Sequence, residues 1–192
     1  MDPINILVGL NVVATFGAHY SGTKRDFRAK VGAAKEKPKS YLQTVPVYLS
    51  TLTLIGIILG VFQVGTLGYL SSYDPVRITG LFFFLVFSWI QVLSVKTLAE
   101  SYSQEVLIHK DHVLITSGIF RFVRHPQYLA QMLMDLGAAA ALLSYIVIPF
   151  VIIEIPLLIM RAMMEEKLLE KYFKDEYKEY KKKSGFFIPF IG

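Results

Sequence analysis

Cysteine is absent from all 192 residues, which excludes disulfides, thiolate catalysis and cysteine-based zinc sites while leaving the redox compartment undetermined. No internal repeat is present, against a transporter built from duplicated halves. A glycine-rich dinucleotide fingerprint is missing, and so is any nucleic-acid-binding motif. The alternation that would build a membrane barrel is missing too, so apolar runs in this chain read as helices. The first run lacks the basic flank and small-residue cleavage site of a signal peptide and is expected to stay in place as a helix. Acidic residues number 15 against 20 Lys and Arg. The excess sits in loops and in the tail, where it reports membrane topology rather than affinity for nucleic acid.

What the chain has in abundance is apolar surface. Hydrophobic residues make up 54% of it and mean hydropathy is +0.48, beyond the roughly 45–50% of a soluble domain. They come in runs near the ~20 residues that cross a bilayer, separated by charged stretches. The expected fold is an all-α integral membrane protein with five spans, at 4–20, 45–70, 78–95, 128–143 and 145–160. Asn5, Asn11 and His19 interrupt the first span and should face other helices, while Gly56, Gly60, Gly65 and Gly68 permit close contact or bending in the second. The phenylalanine-rich third span carries the only tryptophan, Trp89, as expected of packing or lipid contact.

Topology follows from the cations. Lys24, Arg25, Arg28, Lys30, Lys35, Lys37 and Lys39 stand against Asp26 and Glu36 in 21–42, so that loop is expected in the cytoplasm. The turn at 71–75 has no basic residue, as suits the far side. Five spans then put the N-terminus outside and both the 96–124 connection and the C-terminus inside. The spacing at 104–116 predicts short extended pieces around a Lys110-Asp111 turn. Residues 165–183 read as one amphipathic helix able to lie on the membrane or on that connection. Two regions result, a three-helix membrane part at 1–98 and a site-bearing part at 99–192.

Residues 116–128 are the most specified stretch. Gly118 reads as a turn, and Pro126 suits the first position of a helix, which sets Arg124 and His125 in its mouth. Free N–H groups and the helix dipole there favour a carboxylate or phosphate. A basic loop held by lipid head groups is the plainer reading. Farther along, Glu154, Arg161 and Glu165 share one helical face within about 20°, and Tyr128, Gln131 and Asp135 share another. Ionisable groups at membrane depth mark functional sites, although an ion pair of Asp135 or Glu154 with Arg161 would only fasten helices.

Gly118-Ile119-Phe120, Arg124-His125-Pro126-Gln127-Tyr128, Arg161-x-x-x-Glu165-Glu166, Tyr172-Phe173, Tyr177-x-x-Tyr180 and Ile188-Pro189-Phe190 fall in one order. That order resembles the isoprenylcysteine carboxyl methyltransferase family over about 104–190, with no comparable signature in the first three helices. The resemblance implies a cytoplasmic S-adenosylmethionine pocket closed by the long connection and the last helix. It gives cofactor contacts to Gln104, His112, Val113, Leu114, Ile115, Phe120, His125, Pro126, Gln127, Tyr128 and Glu165, to which the helix-mouth argument adds Arg124. Arg161 matches the arginine that meets the substrate carboxylate. Phe120 stands where the family usually has tyrosine.

The chemistry suits such residues. Methyl transfer from a sulfonium to a carboxylate joins an activated electrophile to a nucleophile already ionised at neutral pH, so no general base is needed. Alignment and exclusion of water do the work, and orientation contributes roughly 7–11 kcal/mol. A guanidinium fork holds a carboxylate, an acid such as Glu165 suits the cofactor's ammonium or ribose, and His125 is better used as a hydrogen-bonding partner than as a base. The expected partners are a prenylated, lipid-tailed cysteine and membrane lipids, with no nucleic acid, and the expected state is a monomer. A lipid-amine methyltransferase would instead give Glu165, Glu166 or His125 a base role. A nicotinamide-dependent membrane reductase, an ion path and a lipid-anchored helical protein are the more distant readings.

Overall fold

The computed structural model describes residues 2–23, 34–98, 106–109 and 112–192. Among the described residues six α-helices carry the fold: α1 (Pro3–Thr23), α2 (Val45–Val61), α3 (Asp74–Leu98), α4 (Pro126–Leu142), α5 (Val147–Phe173) and α6 (Asp175–Lys183). Single 3-10 turns at Tyr41–Gln43, Ser71–Tyr73 and Gly118–Arg121 lead into α2, α3 and the start of α4. Among the described residues the two strands, β1 (Ala34–Glu36) and β2 (Ile108–His109), form a short antiparallel pairing. Of the extended pieces expected at 104–116, β2 is the part that forms, and the Lys110-Asp111 turn lies outside the described residues.

Among the described residues, three stretches are long and apolar enough to cross a membrane: Tyr41–Val61, Ser71–Leu98 and Val147–Phe173. These helices make the chain an integral membrane protein. The apolar part of α1, Pro3–Ala18, and the 17-residue α4 are shorter. Helix α4 is bounded by Pro126 in its first turn and by Leu143, which adopts a left-handed φ of 52° and turns the chain straight into α5. The expected tight hairpin of the last two apolar helices is therefore present.

The second apolar run ends sooner than its hydropathy suggests. Helix α2 stops at Val61, and residues 62–70 leave it through positive φ at Gln63 (63°) and Gly65 (70°). Glycine is required at the latter, where a Cβ would stand 1.9 Å from the Ile146 side chain. Gly80 and Gly137 mark the closest helix crossing, with a Cβ on the first 2.5 Å from the Ala141 nitrogen and one on the second 2.6 Å from the Phe84 nitrogen. Helices α3 and α4 thus meet backbone to backbone.

Val8 of α1, Ile57 of α2, Phe84 of α3, Ala138 and Leu142 of α4, and Val151 of α5 join one buried core. It draws on both 1–98 and 99–192. A smaller cluster of Val106, Ile108 and Leu168 pins the connection to the far end of α5. Two of the interrupting polar groups face neighbouring helices, as expected, and the side chain of the third, His19, lies outside the described part: Asn5 Nδ2 donates to the Val61 carbonyl at 3.2 Å, and Asn11 Nδ2 donates to Ser88 Oγ at 2.8 Å. Trp89 adds to its packing a bond from its indole N–H to Asn11 Oδ1 at 3.0 Å.

The single amphipathic helix expected at 165–183 is two pieces. Helix α5 continues through Glu165 to Phe173, and Lys174 breaks it with φ 49° and ψ −116°. Helix α6 then folds back, burying Tyr177 and Tyr180. Helical periodicity continues in register across that break, so the side-chain pattern alone does not reveal the bend.

Candidate functional site

Where α4 begins and α5 runs on beyond the core, the bundle encloses a cavity of about 390 Å³. Of the site residues expected from the sequence, His112, Val113, Leu114, Ile115, Phe120, Arg124, Gln127, Tyr128, Arg161 and Glu165 all line it. His125 and Pro126 do not form part of its wall, and Gln104 lies outside the described residues. The polar face of α4 is turned inward whole, since Gln131 and Asp135 line the cavity with Tyr128. Helices α1 and α2 also contribute wall, through Val12, Phe16, Val47, Ser50 and Leu54.

The centre of the site is a chain of hydrogen bonds. Tyr128 Oη donates to Glu165 Oε2 at 2.8 Å and accepts from Arg161 Nε at 3.3 Å. Arg161 Nη1 donates to the carbonyls of Leu42 and Gln43 at 3.1 and 3.3 Å, which ties α5 to the turn before α2. Gln43 in turn clamps the long connection: its Nε2 donates to the Val106 carbonyl at 2.8 Å, and its Oε1 accepts from the Val106 N–H at 2.9 Å. A glutamine in a short polar stretch carries no sequence signal for that task.

Deeper in the bundle, Glu154 accepts from Ser50 Oγ and, at 3.3 Å, from Thr53 Oγ1. Asp135 accepts from Gln131 Nε2 at 2.5 Å, and Gln131 is itself held by Gln91. Both acids are therefore embedded in neutral donors from three other positions of the bundle, while the Arg161 guanidinium reaches Tyr128 and the backbone near α2. The idea that Asp135 or Glu154 fastens helices through Arg161 gives way to this arrangement.

The mouth of α4 does attract an anion, and the protein supplies it. Arg124 Nε donates to Glu166 Oε1 at 2.5 Å, Lys181 Nζ lies 3.0 Å from Glu166 Oε2, and His125 Nε2 lies 3.4 Å from Glu166 Oε1. The other Arg124 nitrogens donate to the carbonyls of Ser184 and, at 2.9 Å, Gly192. Backbone N–H groups of Arg124 and His125 are taken by the carbonyls of Gly185 (2.8 Å) and Phe186 (3.2 Å). The anion expected from the helix mouth is thus largely Glu166 with the tail, because a carboxylate on α5, far from the 124–126 stretch in sequence, comes within reach only after folding.

The tail in turn fixes α6 over the cavity. Tyr180 Oη donates to the Phe120 carbonyl at 2.6 Å, and burial pushes that hydroxyl up to about 12. Tyr177 and Tyr180 both line the cavity, a role sequence reasoning did not give them beyond their place in a motif. Their i, i+3 spacing on a buried face was the available signal.

Residues 79–171 match the sequence model of the isoprenylcysteine carboxyl methyltransferase (ICMT) family. The match begins in α3, so the third helix belongs to the family pattern although no motif marks it. The chain is 35% identical over 104 residues to the Saccharomyces cerevisiae protein-S-isoprenylcysteine O-methyltransferase, covering 53% of this chain and 44% of that protein. It is 28% identical over 156 residues to the Schizosaccharomyces pombe protein of the same name, covering 80% of this chain and 60% of that one. With the probable protein-S-isoprenylcysteine O-methyltransferase of Oryza sativa subsp. indica it shares 30% over 125 residues, or 64% and 65% of the two chains. It spans about half to two thirds of the length of these curated relatives. Over residues 79–171, the stretch that carries Arg161, Tyr128 and Glu165, the chain is similar to the isoprenylcysteine carboxyl methyltransferase family.

Proposed function

We propose that the protein transfers a methyl group from S-adenosylmethionine to a carboxylate on a lipid-tailed acceptor, in the first place a C-terminal prenylcysteine. The observation that carries this reading is the Arg161–Tyr128–Glu165 chain on the wall of one cavity, inside the family match. A volume of about 390 Å³ is in the range of small-molecule sites, and its lining passes from charged groups to the apolar side chains of α1 and α2.

The residues present fit the cofactor: Glu165 suits its ammonium or ribose hydroxyls, and Val113, Leu114, Ile115 and Phe120 offer an apolar wall for its base. His112, Gln127 and Tyr128 complete that contact, Gln104 is assigned with them by its motif, and Arg124, His125 and Pro126 act by shaping the start of α4. When bound, S-adenosylmethionine supplies a methyl group already activated by its sulfonium.

Arg161 receives the acceptor carboxylate, and its bonds to Tyr128 and to the Leu42 and Gln43 carbonyls hold the guanidinium plane in place. The buried wall keeps water from the carboxylate, which leaves its oxygen a better nucleophile. The lipid tail lies toward Val12, Phe16, Val47 and Leu54, at the bilayer side of the same cavity. In this reading the monomer crosses the membrane five times, with α1 and α4 joining the three longer helices, its N-terminus outside and its cavity facing the cytoplasm. The test is methyl transfer from labelled cofactor to a farnesylated cysteine analogue beside a phosphatidylethanolamine control. Ester formation on the first is expected, and preference for the amine would overturn the assignment of the acceptor.

A further inference from the structure

Tyr177 is 1% exposed and lines the cavity, yet its hydroxyl has no hydrogen-bond partner among the described residues. A buried polar group without a partner is rare in native folds and costly to keep, and phenylalanine would fill the same space without that cost. The neighbouring ring shows what a purely structural tyrosine does on this helix. Tyr180, with ring centroids 5.9 Å away, places its hydroxyl on the Phe120 carbonyl at 2.6 Å. That bond, the Ser184 Oγ bond to the Tyr180 carbonyl at 2.8 Å, and the Arg124 contacts to the tail hold α6 against the cavity. Tyr177, one turn earlier, is thereby fixed.

Its chemistry is that of a donor. Burial pushes the Tyr177 phenol well up, and the nearby Glu166 and Glu165 carboxylates push the same way, so the hydroxyl keeps its proton. Resting on the cofactor reading above, we infer that Tyr177 is a ligand-binding residue whose hydroxyl donates a hydrogen bond to an acceptor atom of the bound S-adenosyl nucleotide. Helix α6 then contributes a specific contact to the pocket as well as a cover.

Tyr177→Phe removes the hydroxyl and nothing else. With the full chain in detergent, calorimetric titration with S-adenosylhomocysteine should show the variant binding about tenfold more weakly than wild type, the loss expected for a buried hydrogen bond to ligand. Without ligand its Tm should equal or exceed that of wild type, since the unpaired group is gone. A merely structural role gives the opposite pair of results, a lower ligand-free Tm with unchanged affinity, and would overturn the inference. Equal affinity at equal Tm overturns it too and leaves the cofactor reading standing. No binding of S-adenosylhomocysteine by wild type overturns both together.

Discussion

Tyr128 and Glu165, one from the first turn of α4 and one from far along α5, are joined by a 2.8 Å hydrogen bond in which the phenol donates to the carboxylate. The same oxygen accepts from Arg161, so the cationic and anionic groups of the site are spaced by one hydroxyl rather than paired directly through it.

Removing that link should therefore harm chemistry more than binding. Tyr128→Phe is expected to lower carboxylate methylation about tenfold through loss of orientation of Arg161. Arg161→Lys, which keeps charge but loses the fork, should reduce turnover more than S-adenosylhomocysteine affinity, and Arg161→Ala should nearly abolish it. Paired measurements of labelled methyl transfer and product binding separate the two effects.

Glu166 holds Arg124, His125 and Lys181 at once. Glu166→Ala leaves the buried Arg124 guanidinium without its carboxylate, a change that typically costs about 3–5 kcal/mol. Thermal melting of the variant should show a large fall in Tm, with α6 and the tail becoming protease-sensitive first. Retention of wild-type Tm would show that the clasp contributes little.

Asp2 sits at the opposite end of the bundle, where its carboxylate accepts from both Arg77 amino groups at 2.9 and 2.7 Å. The bond from Arg77 holds the Asp2 carboxyl below the usual carboxylate range, against a smaller opposing push from burial. A depressed folded-state value means that this stabilisation is present above the unfolded value, about 3.9, and is lost as pH falls through the lower folded one. The Tm difference between wild type and Asp2→Asn should accordingly be constant near neutrality and shrink as the pH is lowered below about 4. A difference independent of pH down to that range would contradict it.

Lys37 and Lys182 are both exposed. With the N-terminus outside and five crossings, both fall on the cytoplasmic face. An impermeant amine reagent added to right-side-out vesicles should modify neither, and added to inverted vesicles should modify both. Labelling of one from each side would exclude the proposed topology.

Much of this molecule is legible in one dimension. Apolar runs, their polar interruptions and the proline of Arg124-His125-Pro126 are local signals, because helix formation and bilayer crossing depend on the character of consecutive side chains. They located α1, α3, α4 and the start of α5 closely, and most of the site residues read from the sequence line the cavity. What the sequence could not carry was partnership across distance. Helix α2 ends at Val61 because Gly65 must turn against Ile146, more than eighty positions away. Glu166 claims the anion-binding mouth of α4, Gln43 clamps Val106, and α6 turns back at Lys174 to set Tyr177 against the cavity. Each of these depends on which side chains meet after the helices pack, and periodicity, which records only how a helix divides its own faces, holds no information about what the other helix brings.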